Sequence, residues 1–300
     1  MRIDVGGGVR LFVDVDGAEW VPDGDRMVRR PTLVLLHGGP GMDHSSFKTE
    51  LAGLRDVAQL VYLDHRGNGR SDDGPRGSWT LAQWGDDVRT VCDALGLERP
   101  IVLGQSFGGF VAQSYATRHP GHAAGVIFSS TAARRNEARN LAVFERLGGA
   151  RARQAAEAFY ADPGERTLRP FVRHCMSLYN RGFSDPGGMK RTLLRLDVLF
   201  HFFAHEYRSF DLLPDLPKVR CPVLVLGGED DPTTPIDDQE DIVAALPPEL
   251  VEYHRFPGCG HGVWRDAPER AMPILRDFVA RCAPVEVSEP DPQLAALGTG

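Results

Sequence analysis

The stretch IVLGQSFGGFVAQ, residues 101–113, decides the fold. It runs from a β-branched apolar segment through Gly-x-Ser-x-Gly and directly into a pattern typical of a helix. Glycines on both sides of the serine leave room for a sharp strand-to-helix turn, which lifts the hydroxyl out of the backbone. The chain contains 33 glycines, so the motif by itself is weak. Its meaning depends on the segments around it.

Strands and helices alternate over residues 31–130. The segments PTLVLLHGG, LVYLDH, PIVLGQ and AAGVIFSS are apolar throughout rather than at every second position. This is typical of parallel strands that are covered on both faces. Between them, LAQWGDDVRTVCDALGLE has apolar residues at helical spacing. We therefore predict the α/β fold class, with a mostly parallel central sheet and helices on both faces.

The character of the chain changes in its middle. Residues 131–216 are rich in Arg, Glu, Phe, Leu and Ala and predict helices without a good strand. The segment CPVLVLGGEDDPTTP then restores the strand-then-glycine pattern, and PERAMPILRDFVARCA predicts a closing helix. We predict a core formed by residues 1–130 and 217–284 and an inserted helical cap at 131–216. The composition of residues 285–300 predicts a disordered tail.

Polar residues follow three of the predicted strands. Ser106 follows IVLGQ, the pair Asp230 and Asp231 follows VLVLGG, and His261 follows YHRF after a short loop. In an open parallel sheet the carboxyl ends of the strands share one edge, and sites form there. A serine hydroxyl needs an adjacent base to become a nucleophile, and a histidine oriented by an acid is such a base. The order Ser, Asp, His along the chain therefore predicts a catalytic triad.

Nearly all of the chain, about residues 9–282, resembles an α/β-hydrolase with a helical cap. More narrowly, HGGPG at 37–41, DHRGNGRS at 64–71 and GQSFGG at 104–109 resemble the proline iminopeptidase group of serine hydrolases. HGGPG is the most specific of these motifs. GEDDPTTP and GCGHG match the acid and histidine segments of the wider superfamily. The resemblance implies hydrolysis by acyl transfer through a serine ester.

The triad roles fall on three residues. Ser106 is the predicted nucleophile, and His261 is the predicted base, which later protonates the leaving group. The superfamily pattern Gly-x-x-Asp-x-x-x-Pro places the acid at Asp231, because Gly228 and Pro235 stand at the required spacing. Asp230 remains the alternative acid. Only one of two adjacent side chains can orient the imidazole.

The oxyanion hole requires two backbone N–H groups directed at the developing negative charge. Phe107, the residue after the nucleophile, is predicted to supply one of them. By resemblance, Gly39 of HGGPG supplies the other. In DHRGNGRS, we expect Asp64 and Arg66 to hold a neighbouring loop in place, since no role in the triad remains vacant.

Substrate choice is less determined. An aminopeptidase binds the substrate ammonium group through carboxylates, and in some members of the group one of these directly follows the triad aspartate, where this chain has Pro232. The cap acids Glu137, Glu145, Asp197 and Glu206 are candidates, with Glu206 first because it lies in the aromatic segment FFAHEY. Phe203 and Trp264 are further candidates for substrate contact. We expect the cap to set substrate choice and to contribute nothing to the triad.

Three functions therefore stay in view. The first is release of an N-terminal residue, or cleavage of a small amide or ester, by a proline iminopeptidase-like serine hydrolase. The alternative is a carboxylesterase or lactonase acting on a small hydrophobic acyl substrate. The alternative from a different class is a non-catalytic binding protein of the same fold.

The composition and charge of the chain indicate which partners and which cellular location to expect. The chain is 42% hydrophobic and 25% charged, as in ordinary globular proteins, and carries a net charge of −7 with acids and bases interspersed. We predict no nucleic-acid partner, because there is no basic patch, and no membrane span, because no apolar run is long enough. The N-terminus lacks a signal-like segment and the five cysteines are scattered, so a cytoplasmic location with reduced thiols is expected. We predict a small-molecule or short peptide substrate, no cofactor and no metal. The oligomeric state stays open.

Overall fold

The computed structural model describes residues 1–182, 185, 187–282 and 286–287. Within these residues it contains eleven strands: β1 (Arg2–Asp4), β2 (Arg10–Asp16), β3 (Trp20–Asp23), β4 (Arg26–Arg29), β5 (Thr32–Leu36), β6 (Gln59–Leu63), β7 (Ile101–Gln105), β8 (Gly125–Ser129), β9 (Val223–Gly228), β10 (Val251–Phe256) and β11 (Glu286–Val287).

The described residues also form eleven α-helices: α1 (Ser45–Glu50), α2 (Leu81–Ala94), α3 (Phe107–Arg118), α4 (Glu137–Ala161), α5 (Glu165–Cys175), α6 (Gly188–Arg191), α7 (Leu196–Ala204), α8 (Glu206–Ser209), α9 (Ile236–Ala245), α10 (Val263–Asp266) and α11 (Pro268–Cys282). Short 3-10 helices lie at Ala52–Asp56, Arg76–Ser78, Met176–Leu178, Leu213–Lys218 and Pro248–Leu250.

Eight strands form one sheet in the order β1-β2-β6-β5-β7-β8-β9-β10. Strands β5 to β10 are parallel to one another. Strand β2 pairs antiparallel with β6, and β1 pairs antiparallel with β2. Every residue of β5, β7, β8 and β9 is buried. The mostly parallel sheet with buried strands confirms the predicted α/β fold class.

The uninterrupted apolar strands supply two hydrophobic clusters, one for each face of the sheet. In β7, Val102 packs in a cluster with residues of α2, α3 and the cap, whereas Ile101 and Leu103 pack in a second cluster with residues of α1 and α11. Successive side chains of a strand point to opposite faces. A strand covered on both faces must therefore be apolar at every position, which is the pattern read in the sequence.

Residues 131–216 contain α4 to α8 and are joined to the core by a continuous aromatic cluster. Phe202 of α7 packs against Phe107 of α3, with ring centroids 5.2 Å apart. In α4 the helical backbone is interrupted at Gly149, whose φ of 71° favours glycine. The division into core and cap at the predicted boundaries stays a prediction.

The predicted tail at 285–300 lies outside the described residues except for Glu286 and Val287. The backbone of these two residues pairs antiparallel with β4, opposite Arg29 and Val28. Strands β11, β4 and β3 form a separate small sheet.

Candidate active site

Ser106 occupies the turn between β7 and α3 with φ 56° and ψ −123°. A non-glycine residue with positive φ is uncommon and costs free energy, so the surrounding structure must hold it. The N–H of Ser106 donates to the carbonyls of Ser129 and Ser130, each at 3.0 Å. The Thr131 hydroxyl donates to the carbonyl of Ser106 at 2.8 Å. These bonds anchor the strained turn to the end of the neighbouring strand β8.

At two positions of the motif only glycine fits, because another part of the backbone lies too close for a side chain. A Cβ atom at Gly104 would lie 2.1 Å from the carbonyl oxygen of Gly108. A Cβ atom at Gly108 would lie 2.0 Å from the carbonyl oxygen of Leu36 in β5. Neither position has room for a side chain. The Gly-x-Ser-x-Gly spacing thus lets α3 begin directly against the sheet, with Ser106 at the sharp turn.

His261 and Asp231 form a hydrogen-bonded pair at the same edge of the sheet. The Nδ1 atom of His261 lies 2.8 Å from Oδ2 of Asp231, and both side chains are buried. Burial alone would raise the pKa of the Asp231 carboxyl, but the neighbouring His261 and the hydrogen bonds from Thr234 outweigh burial and hold that pKa below its ordinary value. Asp231 therefore stays ionised beside the imidazole at neutral pH.

Asp230, the alternative acid, has different partners. Its Oδ1 lies 2.7 Å from Nη1 of Arg146 in α4, and its Oδ2 lies 3.8 Å from Nε of Arg181. Both arginines belong to the segment predicted as the cap. In the turn that follows β9, the structure thus places Asp231 on the histidine and Asp230 on two arginines of residues 131–216.

Two threonines that the sequence motifs did not identify hold this pair. The N–H of Thr233 donates to Oδ1 of Asp231 at 2.8 Å, and the Thr234 hydroxyl donates to Oδ2 at 2.8 Å. The Thr233 hydroxyl also lies 2.7 Å from Nδ1 of His261. The segment GEDDPTTP carried this signal, since hydroxyl residues two and three positions after an aspartate commonly close a turn on its carboxylate.

Gln105 connects the serine turn to the histidine loop. Its side-chain N–H donates to the carbonyl of His261 at 3.1 Å, and its Oε1 accepts from Nη2 of Arg265 at 3.2 Å. Arg265 in turn lies 2.8 Å from the buried carboxylate of Glu50. Gln105 directly precedes Ser106, so this bond connects the segment of Ser106 to the loop of His261. No motif in the sequence predicts these long-range hydrogen bonds of Gln105.

The loop carrying HGGPG passes beside Ser106. A Cβ atom at Gly38 would lie 3.4 Å from Cβ of Ser106 and 4.0 Å from its hydroxyl oxygen. Gly39 follows with φ 132°, a conformation that favours glycine. Phe107 is the first residue of α3, where a backbone N–H has no partner within the helix. The two residues predicted for the oxyanion hole therefore lie on the two segments that flank Ser106.

The motif DHRGNGRS braces the HGGPG loop and the segment that follows it. Asp64 is fully buried and accepts hydrogen bonds from the N–H and Nδ1 of His44 and from the N–H of Arg70. The side chain of Asn68 accepts the N–H of Gly41, the last residue of HGGPG, at 2.6 Å. Arg66 forms a bidentate pair with buried Asp87 of α2. These contacts agree with the expected structural role of Asp64 and Arg66.

The first residue of HGGPG, His37, is a buried histidine that packs against a second buried histidine, His65. The rings of His37 and His65 have centroids 4.5 Å apart, and Nδ1 of His37 lies 2.7 Å from the carbonyl oxygen of Gly38. Burial lowers the pKa of both imidazoles, that of His65 well below its ordinary value. Both rings are therefore uncharged at neutral pH, and they add no positive charge beside Ser106.

The cap acids considered for ammonium binding all have partners within the described residues. The Glu206 carboxylate accepts the N–H of Leu81, the first residue of α2, at 3.1 Å. The others pair with arginines: Glu137 with Arg135, Glu145 with Arg153, and Asp197 with Arg195. A carboxylate at a helix N-terminus stabilises that helix. The structure thus gives Glu206 a packing role, and its predicted contact with substrate stays a prediction.

Phe203 and Trp264 lie in different surroundings. Phe203 is half-buried within a cluster of cap aromatics, with Tyr207 at a centroid distance of 4.7 Å and Phe159 at 5.2 Å. Trp264 is 3% exposed, and its indole N–H donates to Glu50 at 2.9 Å. Its ring belongs to the hydrophobic cluster shared with α1 and α11. This burial favours a core role for Trp264 over the substrate contact that the sequence analysis predicts.

Two further observations concern the described residues only. They contain no group of three or more His, Cys, Asp or Glu side chains arranged to hold a metal ion. Among them no helix combines the length and the apolar character that crossing a membrane requires.

The α/β hydrolase fold family model matches residues 31–264, so the chain belongs to this family and is a hydrolase. It is 27% identical to a monoacylglycerol lipase of Mycolicibacterium smegmatis over 91% of this chain and 93% of the relative. It is 26% identical to a proline iminopeptidase of Lactobacillus delbrueckii subsp. bulgaricus over 83% of this chain and 90% of the relative. Among solved structures, a proline iminopeptidase of Mycobacterium smegmatis is 25% identical with a TM-score of 0.72, covering 94% of this chain and 98% of that one.

Proposed function

We propose that the protein is a serine hydrolase in which Ser106, His261 and Asp231 act as nucleophile, base and acid. The observation that carries the proposal is the buried Asp231 carboxylate bonded to Nδ1 of His261. This bond leaves Nε2 of the imidazole to accept a proton, because Nδ1 carries the N–H. Gln105 supports the proposal as well, since its side chain ties the residue before the nucleophile to the histidine.

The proposed reaction has two halves. Nε2 of His261 removes the proton of the Ser106 hydroxyl as Oγ attacks the carbonyl carbon of the substrate, and the N–H groups of Phe107 and Gly39 bind the resulting oxyanion. The leaving group departs with the proton from His261, so that Ser106 carries an acyl ester. Water then attacks this ester with the same histidine as base, which releases the acid and restores the serine hydroxyl.

The pairing of the cap acids supports uncharged acyl substrates. A substrate ammonium transferred from water into a closed site requires a carboxylate partner that is not already neutralised. Glu137, Glu145 and Asp197 each face an arginine, and Glu206 accepts a helix N–H. Pro232 follows Asp231 and carries no charge. We therefore place neutral carboxylic esters, including lactones, first among the substrates.

A second candidate is iminopeptidase activity, which releases an N-terminal proline. It is supported by the HGGPG motif and by the similarity to proline iminopeptidases over most of the chain. In both candidates the cap, residues 131–216, covers the acyl group and selects it, since its aromatic cluster reaches Phe107 beside the nucleophile.

A substrate panel separates these candidates. We expect kcat/KM for p-nitrophenyl butyrate to exceed that for proline β-naphthylamide by about 100-fold or more, because an unpaired ammonium in the site costs several kcal/mol. The matched pair is the p-nitrophenyl ester of proline and that of N-acetylproline, which share an acyl group and differ in the ammonium. The acetylated ester should be the better substrate. Faster cleavage of the prolyl compounds in both comparisons would establish the iminopeptidase instead.

Of the four candidate cap acids, Glu206 is the one for which the described residues supply no arginine partner, and its replacement tests it. We expect Glu206→Gln to change kcat/KM by less than about threefold for esters and prolyl amides alike, and to lower the free energy of unfolding by about 0.5–1 kcal/mol, because a carboxylate at the start of α2 is lost. Glu157→Gln, an exposed change in α4, is the control. A loss confined to prolyl amides would show that Glu206 binds the substrate ammonium.

A further inference from the structure

Residues 179–182, which we call the strap, lie directly against the loop that carries His261. The N–H of His261 donates to the carbonyl of Tyr179 at 2.5 Å. The ring of Tyr179 lies edge-on to the imidazole, with centroids 5.4 Å apart. The strap follows the 3-10 helix Met176–Leu178 within the predicted cap. One segment of the cap therefore contacts both the backbone and the side chain of the histidine.

A single carboxylate bonds the strap to this loop. The Oδ1 atom of Asp266 accepts the N–H groups of Arg181 and Gly182 at 2.9 and 3.0 Å. Its Oδ2 atom accepts the N–H of Gly260 at 2.8 Å. Gly260 directly precedes His261, and Asp266 closes the short helix α10 that follows it. Asp266 thus bonds to the strap on one side and to the histidine loop on the other.

At Gly260 the strap and the loop meet backbone to backbone. A Cβ atom at Gly260 would lie 2.1 Å from the carbonyl oxygen of Tyr179. Such close contact between two backbones fixes their separation, because neither can move toward the other. A displacement of the strap would remove the acceptor of the His261 N–H. The backbone of His261, which carries the imidazole, would then lose one of the bonds that hold it in place.

We propose that Asp266 is a positioning residue, which acts through the strap to hold His261 at the distance from Ser106 that proton transfer requires. This inference rests on the proposed function. General-base catalysis needs the base within hydrogen-bond reach of the hydroxyl, and small displacements lower the rate strongly. The cap contributes no side chain to the proposed triad. Through Tyr179 it supplies a hydrogen-bond acceptor for the histidine backbone. The expectation that the cap contributes nothing to the triad itself stays a prediction.

The test compares Asp266→Asn with Asp277→Asn, an exposed change in α11 whose carboxylate pairs with Arg281. The asparagine amide presents N–H donors where the Asp266 carboxylate accepts the N–H groups of Arg181, Gly182 and Gly260, so one or more of these bonds must break. We expect kcat per active site, titrated with a fluorophosphonate, to fall about 10- to 100-fold while KM stays within about threefold. Hydrogen exchange of the peptide containing residue 261 should become faster. Asp277→Asn should match the parent in all three measurements.

An unchanged kcat per titrated site, with only a lower melting temperature, would overturn the proposal, as would unchanged hydrogen exchange. If Asp266→Asn does not fold, Asp266→Glu takes its place in the test. This variant keeps the carboxylate but moves it by one methylene group, so we expect kcat to fall by a smaller factor. Failure of the parent to react with the fluorophosphonate at Ser106 would refute the proposed function. The exchange measurement would then still decide whether Asp266 holds the histidine loop.

Discussion

Replacing Ser106 with alanine is expected to lower hydrolysis of every substrate by about 10⁴-fold or more, because the acyl-enzyme route disappears. The fold should persist. Alanine keeps the Cβ atom at the strained turn, so the cost of φ 56° is the same in both proteins. The test measures the steady-state rate on the best ester of the panel and the thermal unfolding of the parent and of Ser106→Ala.

A fluorophosphonate probe supplies the control for this variant. The probe should label the parent at Ser106 and leave Ser106→Ala unlabelled. It should label Ser78→Ala as strongly as the parent, since Ser78 lies in the 3-10 helix Arg76–Ser78 and not in the turn after β7. Residual turnover within tenfold of the parent would refute Ser106 as the nucleophile. A parent that neither reacts with the probe nor turns over any ester or amide would favour a non-catalytic binding protein of this fold.

The second large effect is a contrast between two adjacent aspartates. Asp231→Asn is expected to lower kcat by about 10⁴-fold, because an amide in place of the carboxylate no longer holds the imidazole of His261 in the required tautomer. Asp230→Asn should cost less than about tenfold, since that carboxylate pairs with the partly exposed Arg146 and such pairs contribute little. Both variants are measured on the same ester.

The two variants also control for each other, because they make the same chemical change one residue apart. Thermal unfolding should show that both variants are folded. Asp231→Asn has the larger structural consequence, since Thr233 and Thr234 both bond to that carboxylate. The reverse ranking of the two losses would move the acid to Asp230 and contradict the proposed triad.

Much of the fold was predictable from local patterns. Buried parallel strands must be apolar at each position, so the apolar segments within residues 31–130 were enough to predict the sheet. The turn at Ser106 was equally readable, because Gly104 and Gly108 stand where the backbone leaves no room for a Cβ atom. These signals are local: periodicity and glycine placement record the immediate geometry of the chain.

The neighbours of the candidate site residues were not predictable in the same way. Glu206 looked available for a substrate, yet its partner is Leu81, 125 residues away in the sequence. Trp264 looked like a pocket residue, yet it bonds to Glu50, 214 residues away. A single sequence carries no record of which distant groups share a charge or a hydrogen bond. Its list of cap acids could not separate neutralised carboxylates from available ones.

The sequence by itself determined the α/β class, the order Ser, Asp, His and the strand ends that carry these residues, because strand burial and tight turns demand particular residue types. The superfamily pattern already favoured Asp231 as the acid, but only the tertiary structure bonds Asp231 to His261 and Asp230 to Arg146. Only the tertiary structure, likewise, gives the four candidate cap acids their partners. It also decided that a cap segment bonds to the histidine loop through Tyr179 and Asp266. Those contacts join segments far apart in the chain, and folding alone brings them within hydrogen-bond distance.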